Sequence, residues 1–331
     1  LVVTHFVGAS ADAADGRAMV RRLAGEVARG AGIELPPGDL PDDPTDLRVA
    51  FTDVLRRAGA VRPVVLVVDG LDQLDDADQA PDLAWLPFDL PAGTTVIGSC
   101  TGGRPLEAAR ARRWHEHELA PLGEDDRRAL AVAFLARWSK RLGPELLDRL
   151  VAHPACANPL YLRTVLDELR QHGDHFTLGA VLDGYLAAAA LPDLFAAVLG
   201  RWERDFDRDR PDLVRDAMTA LWAARRGLAD AELLDLLGDD DGPLPHAVWS
   251  PLLLAAGESL TIRAGLLGFL HEPLRRAVAD RWLGAEDAQR AAHRRLATYF
   301  GPRAVSPRVV AELPWQLRRA AEWDQLARAL A

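Results

Sequence analysis

"VVLVVDGLDQLDD", residues 64–76, decides how this chain is read. A continuous apolar run, valine except for Leu66, ends on Asp69 and Gly70. β-Branched runs without polar alternation suit a parallel strand covered on both faces. A carboxylate at the carboxyl end of such a strand stands where ligands bind in open α/β sheets. There it can hold Mg2+, directly or through water, against nucleotide phosphates. Asp72, one short turn further on, can orient an attacking water. Any strand followed by an acidic turn would show the same pattern, and a GxxxxGK[ST] loop would separate the two readings. The sequence contains none. Lys140, the single lysine, lies downstream in "RWSKRLG"; "VGASADAADG" has glycines but no lysine; "GSCTGGRP" follows the acidic strand. The phosphate loop is therefore expected upstream of Leu1, or not at all.

Working outward, "LVVTHFVGAS" (1–10) and "TTVIGSC" (94–100) read as further strands, and "WHEHELAPL" (114–122) as a fourth. Met19, Leu23 and Val27 recur at helical spacing. Pro36, Pro37, Gly38 and Pro41 form a loop, after which Asp43-Pro44 reads as an N-cap followed by proline at the first helical position. Leu47, Phe51, Val54, Leu55 and Ala58 line one side of the helix that follows. Strands alternating with helices give an α/β fold class with a parallel sheet. From Glu124 the pattern turns helical, with Asn158-Pro159 opening one helix and Pro192-Asp193 interrupting "YLAAAALPDLFAAVLG". A break at "GDDDGPLP" and a hairpin near "SLTIRAGLLGFLHEP" follow, and a helical pair closes the chain. The expected divisions are 1–122, 123–205, 206–300 and 301–331.

The 331 residues allow two or three domains. A net charge of −10 argues against broad nucleic-acid binding. No apolar stretch is long enough for a bilayer. Cys100 and Cys156 form no motif, which fits a reduced, cytoplasmic compartment.

The order "HFVGAS", "RPVVLVVDGLDQLDD", "DLAWLPFDLPAGTTVIGSCTGGRP", "NPLYLRTVLDEL", "LLGFLHEPLRRAV" resembles the NACHT class of STAND ATPases, especially those related to the telomerase-associated and nephrocystin-type proteins. The resemblance implies a P-loop NTPase-type parallel sheet whose first strand and P-loop are absent from this chain. Helical and winged-helix domains follow, then the start of a helical linker or repeat region. It implies a signal-transduction switch, closed with ADP and open with ATP, that self-associates on activation and serves in bacterial defence. ATP/ADP and Mg2+ are the implied cofactors. C-terminal repeats would sense a protein or other trigger, and an N-terminal effector would lie outside this chain. No membrane and no direct nucleic-acid contact are expected.

Carried over by motif, Asp69 is the magnesium residue of Walker B and Asp72 the second, catalytic acid. Ser99, Thr101 or Arg104, at the sensor-1 strand, approach the γ-phosphate. Pro159 of "NPLYL" packs on adenine, and His271 of "FLHEPL" contacts the β-phosphate of ADP. Gln73 and Glu272 depart from the usual Glu and Asp. A glutamine can orient water but is no base, so any hydrolysis would be slow.

Other readings compete. "HEHE" (115–118) puts His115 and His117 on one strand face without a third metal ligand, so an exposed strand face is favoured. His271 can simply cap a helix. Asp239–Asp241 lacks calcium-loop spacing and reads as a solvated turn. The arginines of "AQRAAHRRLATYF" alternate with acids, as on a solvated face. Trp315 and Trp323 are placed in the joint between stacked helices. A non-catalytic scaffold that kept the fold, or the ATPase core of a transcription regulator, are the alternative functions.

Overall fold

The computed structural model describes residues 1–8, 13–35, 38 and 40–330. Of the expected features, Ser10 and the Pro36 and Pro37 loop positions lie outside them. The chain forms two compact units, Leu1–Glu118 and Leu119–Ala331.

The first unit runs β1 (Val2–Phe6), α1 (Gly16–Ala31), α2 (Pro44–Val61), β2 (Val64–Asp69), β3 (Thr94–Gly98) and α3 (Arg104–Ala111). α2 begins where the sequence marks it, and α1 begins on a similar aspartate cap. Asp15 accepts from the backbone N–H groups of Arg17 and Ala18 (both 2.9 Å). Asp43 accepts from those of Thr45 (2.8 Å) and Asp46 (3.1 Å), with Pro44 opening α2. Each cap fills N–H groups that the first helical turn cannot pair internally. Met19, Leu23 and Val27 of α1 and Leu47, Phe51, Val54, Leu55 and Ala58 of α2 are buried, as their spacing predicts.

The sheet is parallel in the order β1-β2-β3. Both crossovers step the same way across it. Right-handed crossovers of that kind must run over the same face. Val3, Val64, Leu66 and Val68 are accordingly buried in one core with α1, α2 and the Leu71–Leu86 connection. The register places Val2, Val65 and Thr95 together on the other face, then Thr4, Val67 and Ile97. That face is bare: Val2 is 64% exposed, Phe6 54% and Ile97 54%. The expectation of a strand covered on both faces is thus corrected, because both connections lie on one side. The result is a mixed α/β fold with a small parallel sheet of Rossmann- or P-loop-like character.

The fourth strand expected over 114–122 does not form. His115, Glu116, His117 and Glu118 are all exposed, so no buried face pins the segment to a sheet. Glu116 instead pairs with Arg110 at 2.7 Å.

The second unit runs α4 (Glu124–Ala136), α5 (Pro144–Ala152), α6 (Pro159–Gln171), α7 (Leu178–Leu186), α8 (Leu191–Phe206), α9 (Leu213–Ala223), β4 (Leu228–Ala229), α10 (Asp230–Leu237), α11 (His246–Ala255), β5 (Leu260–Arg263), β6 (Leu266–Phe269), α12 (Glu272–Trp282), α13 (Glu286–Phe300), α14 (Pro307–Arg319) and α15 (Trp323–Leu330). One core runs through it, built on Tyr161, Phe195, Trp202, Trp249 and Phe300. The expected hairpin is β5–β6, turning at Ala264 and Gly265, both with positive φ. β4 joins it antiparallel in the order β4-β6-β5. Asp239–Asp241 is an exposed turn closed by an Asp239–Gly242 bridge. The arginines of α13 are engaged, Arg290 with Glu286 and Arg294 with Glu322. Trp323 departs from expectation: it is 60% exposed, and α15 buries no residue.

Candidate functional site

Asp69 is the last residue of β2, exposed at the carboxyl edge of the sheet. Gly70, with φ +78°, turns the chain sharply into the single 3-10 turn Leu71–Gln73. Few side chains tolerate that φ. Ser99, one residue beyond β3, is tied across this tip. Its Oγ donates to Asp69 Oδ1 and accepts from the Gly70 N–H at 2.9 Å. Its backbone N–H donates to Val68 O (3.0 Å), and its carbonyl accepts from Leu71 (2.9 Å). Thr101 treats Asp72 likewise, with Oγ1 donating at 2.6 Å and its backbone N–H at 3.3 Å. Two carboxylates thus stand at the tip of the central strand, each held by a hydroxyl from the connection after the next strand. Gln73 Nε2 would meet a Cβ added at Gly70 at 3.0 Å, which places its amide close over the same turn.

Arg104 does not share this geometry. It opens α3, and its guanidinium is spent on the acidic connection: Nε and Nη2 donate to Asp82 and Nη1 to Asp76 at 2.6 Å. These bonds push the Arg104 pKa up and hold the Asp82 carboxyl below the usual carboxylate range. Arg17 and Asp78 form a parallel clamp at the start of α1. The sequence reading missed both clamps. Their signal was the acid run 75–82, which has no local cations and must find arginines elsewhere.

Pro159 and His271 belong to the second unit. Pro159 is exposed at the first turn of α6, capped by Asn158 Oδ1, which accepts from the Leu160 (2.9 Å) and Tyr161 (3.2 Å) N–H groups. His271 occupies the N-cap position of α12, but its side chain makes no capping bond. The simple capping reading therefore fails. Burial lowers the His271 pKa, and the nearby Arg163 charge lowers it further. Arg163, paired with Glu258, stands one helical turn along α6 from Pro159. The second unit therefore brings the neighbourhoods of these two residues together.

Among the described residues no group of three His, Cys, Asp or Glu side chains could hold a metal alone. Mg2+ does not need one: it keeps several waters and takes one or two carboxylates plus phosphate oxygens. Asp69 and Asp72 fit that part. No residue here fits the lysine-bearing phosphate cradle. Among the described residues, no helix is long and apolar enough to cross a membrane.

No protein-family model matches the chain. A TPR repeat-containing protein of Dictyostelium discoideum is 28% identical over 269 residues, covering 81% of this chain and 16% of that protein. Tetratricopeptide repeat protein 41 of Rattus norvegicus is 25% identical, covering 98% of this chain and 28% of its own length. Human NACHT domain- and WD repeat-containing protein 1 is 26% identical over 330 residues, covering 91% and 20%. The resemblance to NACHT-like proteins is distant. The chain spans between about a sixth and rather more than a quarter of these relatives. Among solved structures, a Walker-type ATPase of Pyrococcus abyssi superposes over 84% of this chain and 83% of its own, with a TM-score of 0.38 and 10% identity. So loose a superposition carries no weight for function.

Proposed function

We propose that this chain is the core of a nucleotide-dependent switch of the STAND/NACHT type, whose phosphate cradle is contributed by polypeptide preceding Leu1. The observation that carries the reading is the pair Asp69 and Asp72 at the tip of the central strand, held by Ser99 and Thr101.

The bare sheet face supports it. A preceding strand paired with the open edge of β3, and joined to β1 by a helix, would cross the sheet in the reverse direction. A right-handed crossover in that direction covers the opposite face, where Val2, Phe6 and Ile97 stand exposed. Burying side chains of that size contributes about 1.5–3 kcal/mol each when complete. In the second unit, the order α9, β4, α10, α11, β5, β6 supports the winged-helix reading. Its α11 carries neither Arg nor Lys, which fits a domain that contacts protein or nucleotide rather than DNA.

In this reading Asp69 receives Mg2+ and Ser99 keeps its carboxylate aimed. Asp72, steadied by Thr101, orients water, and Gln73 can assist without acting as a base. Bound Mg2+ would neutralise charge on the phosphate oxygens. Pro159 and His271 would read the base and the β-phosphate from the second unit. Exchange of ADP for ATP, opening and self-association complete the switch, with defence signalling as its setting.

Mass spectrometry of denatured full-length protein tests this. ADP or ATP should be released in near-stoichiometric amount. Recovery of no nucleotide would favour a scaffold that kept the fold without the chemistry.

A further inference from the structure

The arginines of this acidic chain are often matched to carboxylates, as Arg104, Arg201 and Arg294 are. A group at the end of α14 is not. Trp315 carries three guanidinium groups over its ring, with Cζ of Arg319 at 4.7 Å, Arg318 at 5.3 Å and Arg225 at 5.5 Å from the centroid. All three arginines are exposed. Among the described residues none of the three guanidinium groups has a carboxylate partner; that of Arg225 donates only to the Ala311 carbonyl, at 3.2 Å. Arg275 stands nearby on the Trp222 ring at 5.1 Å, close enough to Arg319 for the two charges to oppose each other.

Local compensation is incomplete. The carboxyl ends of α9 and α14 each offer about half a negative charge. Glu312 is fully buried and shares Arg308 (3.0 Å) with Glu232 (2.7 Å), so part of its charge also faces this end of α14. Roughly one to two positive charges are left over on a molecule whose net charge is −10. Stacking on the indole holds the guanidinium forks in place, so little freedom is lost when they bind.

We propose that Arg225, Arg318 and Arg319, ordered on Trp315, dock an acidic peptide segment of a protein partner. Carboxylates take guanidinium forks two bonds at a time. A nucleic acid fits worse. The rest of this acidic surface repels a polyphosphate, and the indole face that would stack a base is already covered by guanidinium groups.

Fluorescence anisotropy of full-length protein with a labelled decapeptide of alternating Glu and Gly tests the proposal. Saturable binding that weakens with salt is expected. The double variant Arg318→Ser/Arg319→Ser should bind about tenfold more weakly. Arg294→Ser, which removes an arginine already paired with Glu322, should stay within about twofold. Absence of binding, or equal binding by the double variant, would overturn the proposal. Tighter binding of a single-stranded oligonucleotide of equal charge would replace the peptide with nucleic acid. Complete displacement by inorganic phosphate at constant ionic strength would reduce the patch to a small-anion site.

Discussion

Ser99 carries more of the site than its sequence position announces. As part of "IGSC" it reads as the end of a strand, and the sequence allowed it only a general approach to phosphate. In the fold it binds Asp69 and Gly70 together. Ser99→Ala leaves the Gly70 N–H without an acceptor and Asp69 free to rotate. The expected cost is about 1 kcal/mol in urea unfolding, together with a weaker response of nucleotide binding to Mg2+. An unchanged unfolding midpoint would show that the hydroxyl does not organise the tip. The placement of Asp69 and Asp72 at the strand tip was legible because a strand end followed by a one-turn helix fixes it locally. The engagement of Arg104 was not, since Asp76 and Asp82 reach it only through the folded connection.

Elements were legible where a local signal names the boundary. Asp43-Pro44 and Asn158-Pro159 each begin a helix because cap and proline act within one turn. The segment 114–122 misled, because alternation of polar residues imitates a strand without supplying the buried face that a sheet requires. The seam between α14 and α9 was also invisible in sequence. There Glu312, wholly buried, accepts from the N–H groups of Arg225 (3.2 Å) and Arg226 (3.0 Å) and from Gln316 Nε2 (2.9 Å). Gln316 Nε2 also donates to Ala223 O, which leaves its Oε1 to accept from His293 Nδ1 at 2.8 Å. Glu312→Ala strands both backbone donors, while Arg308 keeps Glu232 and the Gly227 carbonyl. A loss of about 1–3 kcal/mol for each donor left without an acceptor is expected for the second unit, read as a lowered urea midpoint. A change within experimental scatter would mean that the seam closes without this carboxylate.

At the scale of the whole molecule, acid sensitivity follows from histidines buried in the neutral form. His5 donates from Nε2 to Ala13 O (2.8 Å) and accepts from Arg22 at Nδ1 (2.9 Å). Burial lowers the pKa of His5, His271 and His293, with nearby arginines adding to the shift. Each binds its proton less readily when folded than unfolded. Stability is therefore complete above the unfolded value, about 6.5, and is lost as pH falls toward the depressed folded values. Thermal unfolding should show a falling midpoint from about pH 6.5 downward. Asp167, whose pKa burial raises, acts in the opposite sense at more acid pH. A midpoint flat between neutrality and pH 5 would contradict the histidine account.

The bare face of the sheet also belongs to this scale. Periodicity shows that a strand is apolar on both sides but not whether anything covers them; that depends on the order in which the strands are joined. The most direct measurement is ATP binding by the full-length protein with and without Mg2+, comparing the native sequence with Asp69→Asn. Mg2+ should tighten binding about tenfold or more in the native protein and have no effect in the variant, whose Mg2+-free affinity stays unchanged. An identical Mg2+ response in both proteins, or no ATP binding in either, would contradict the role assigned to the strand-tip carboxylate.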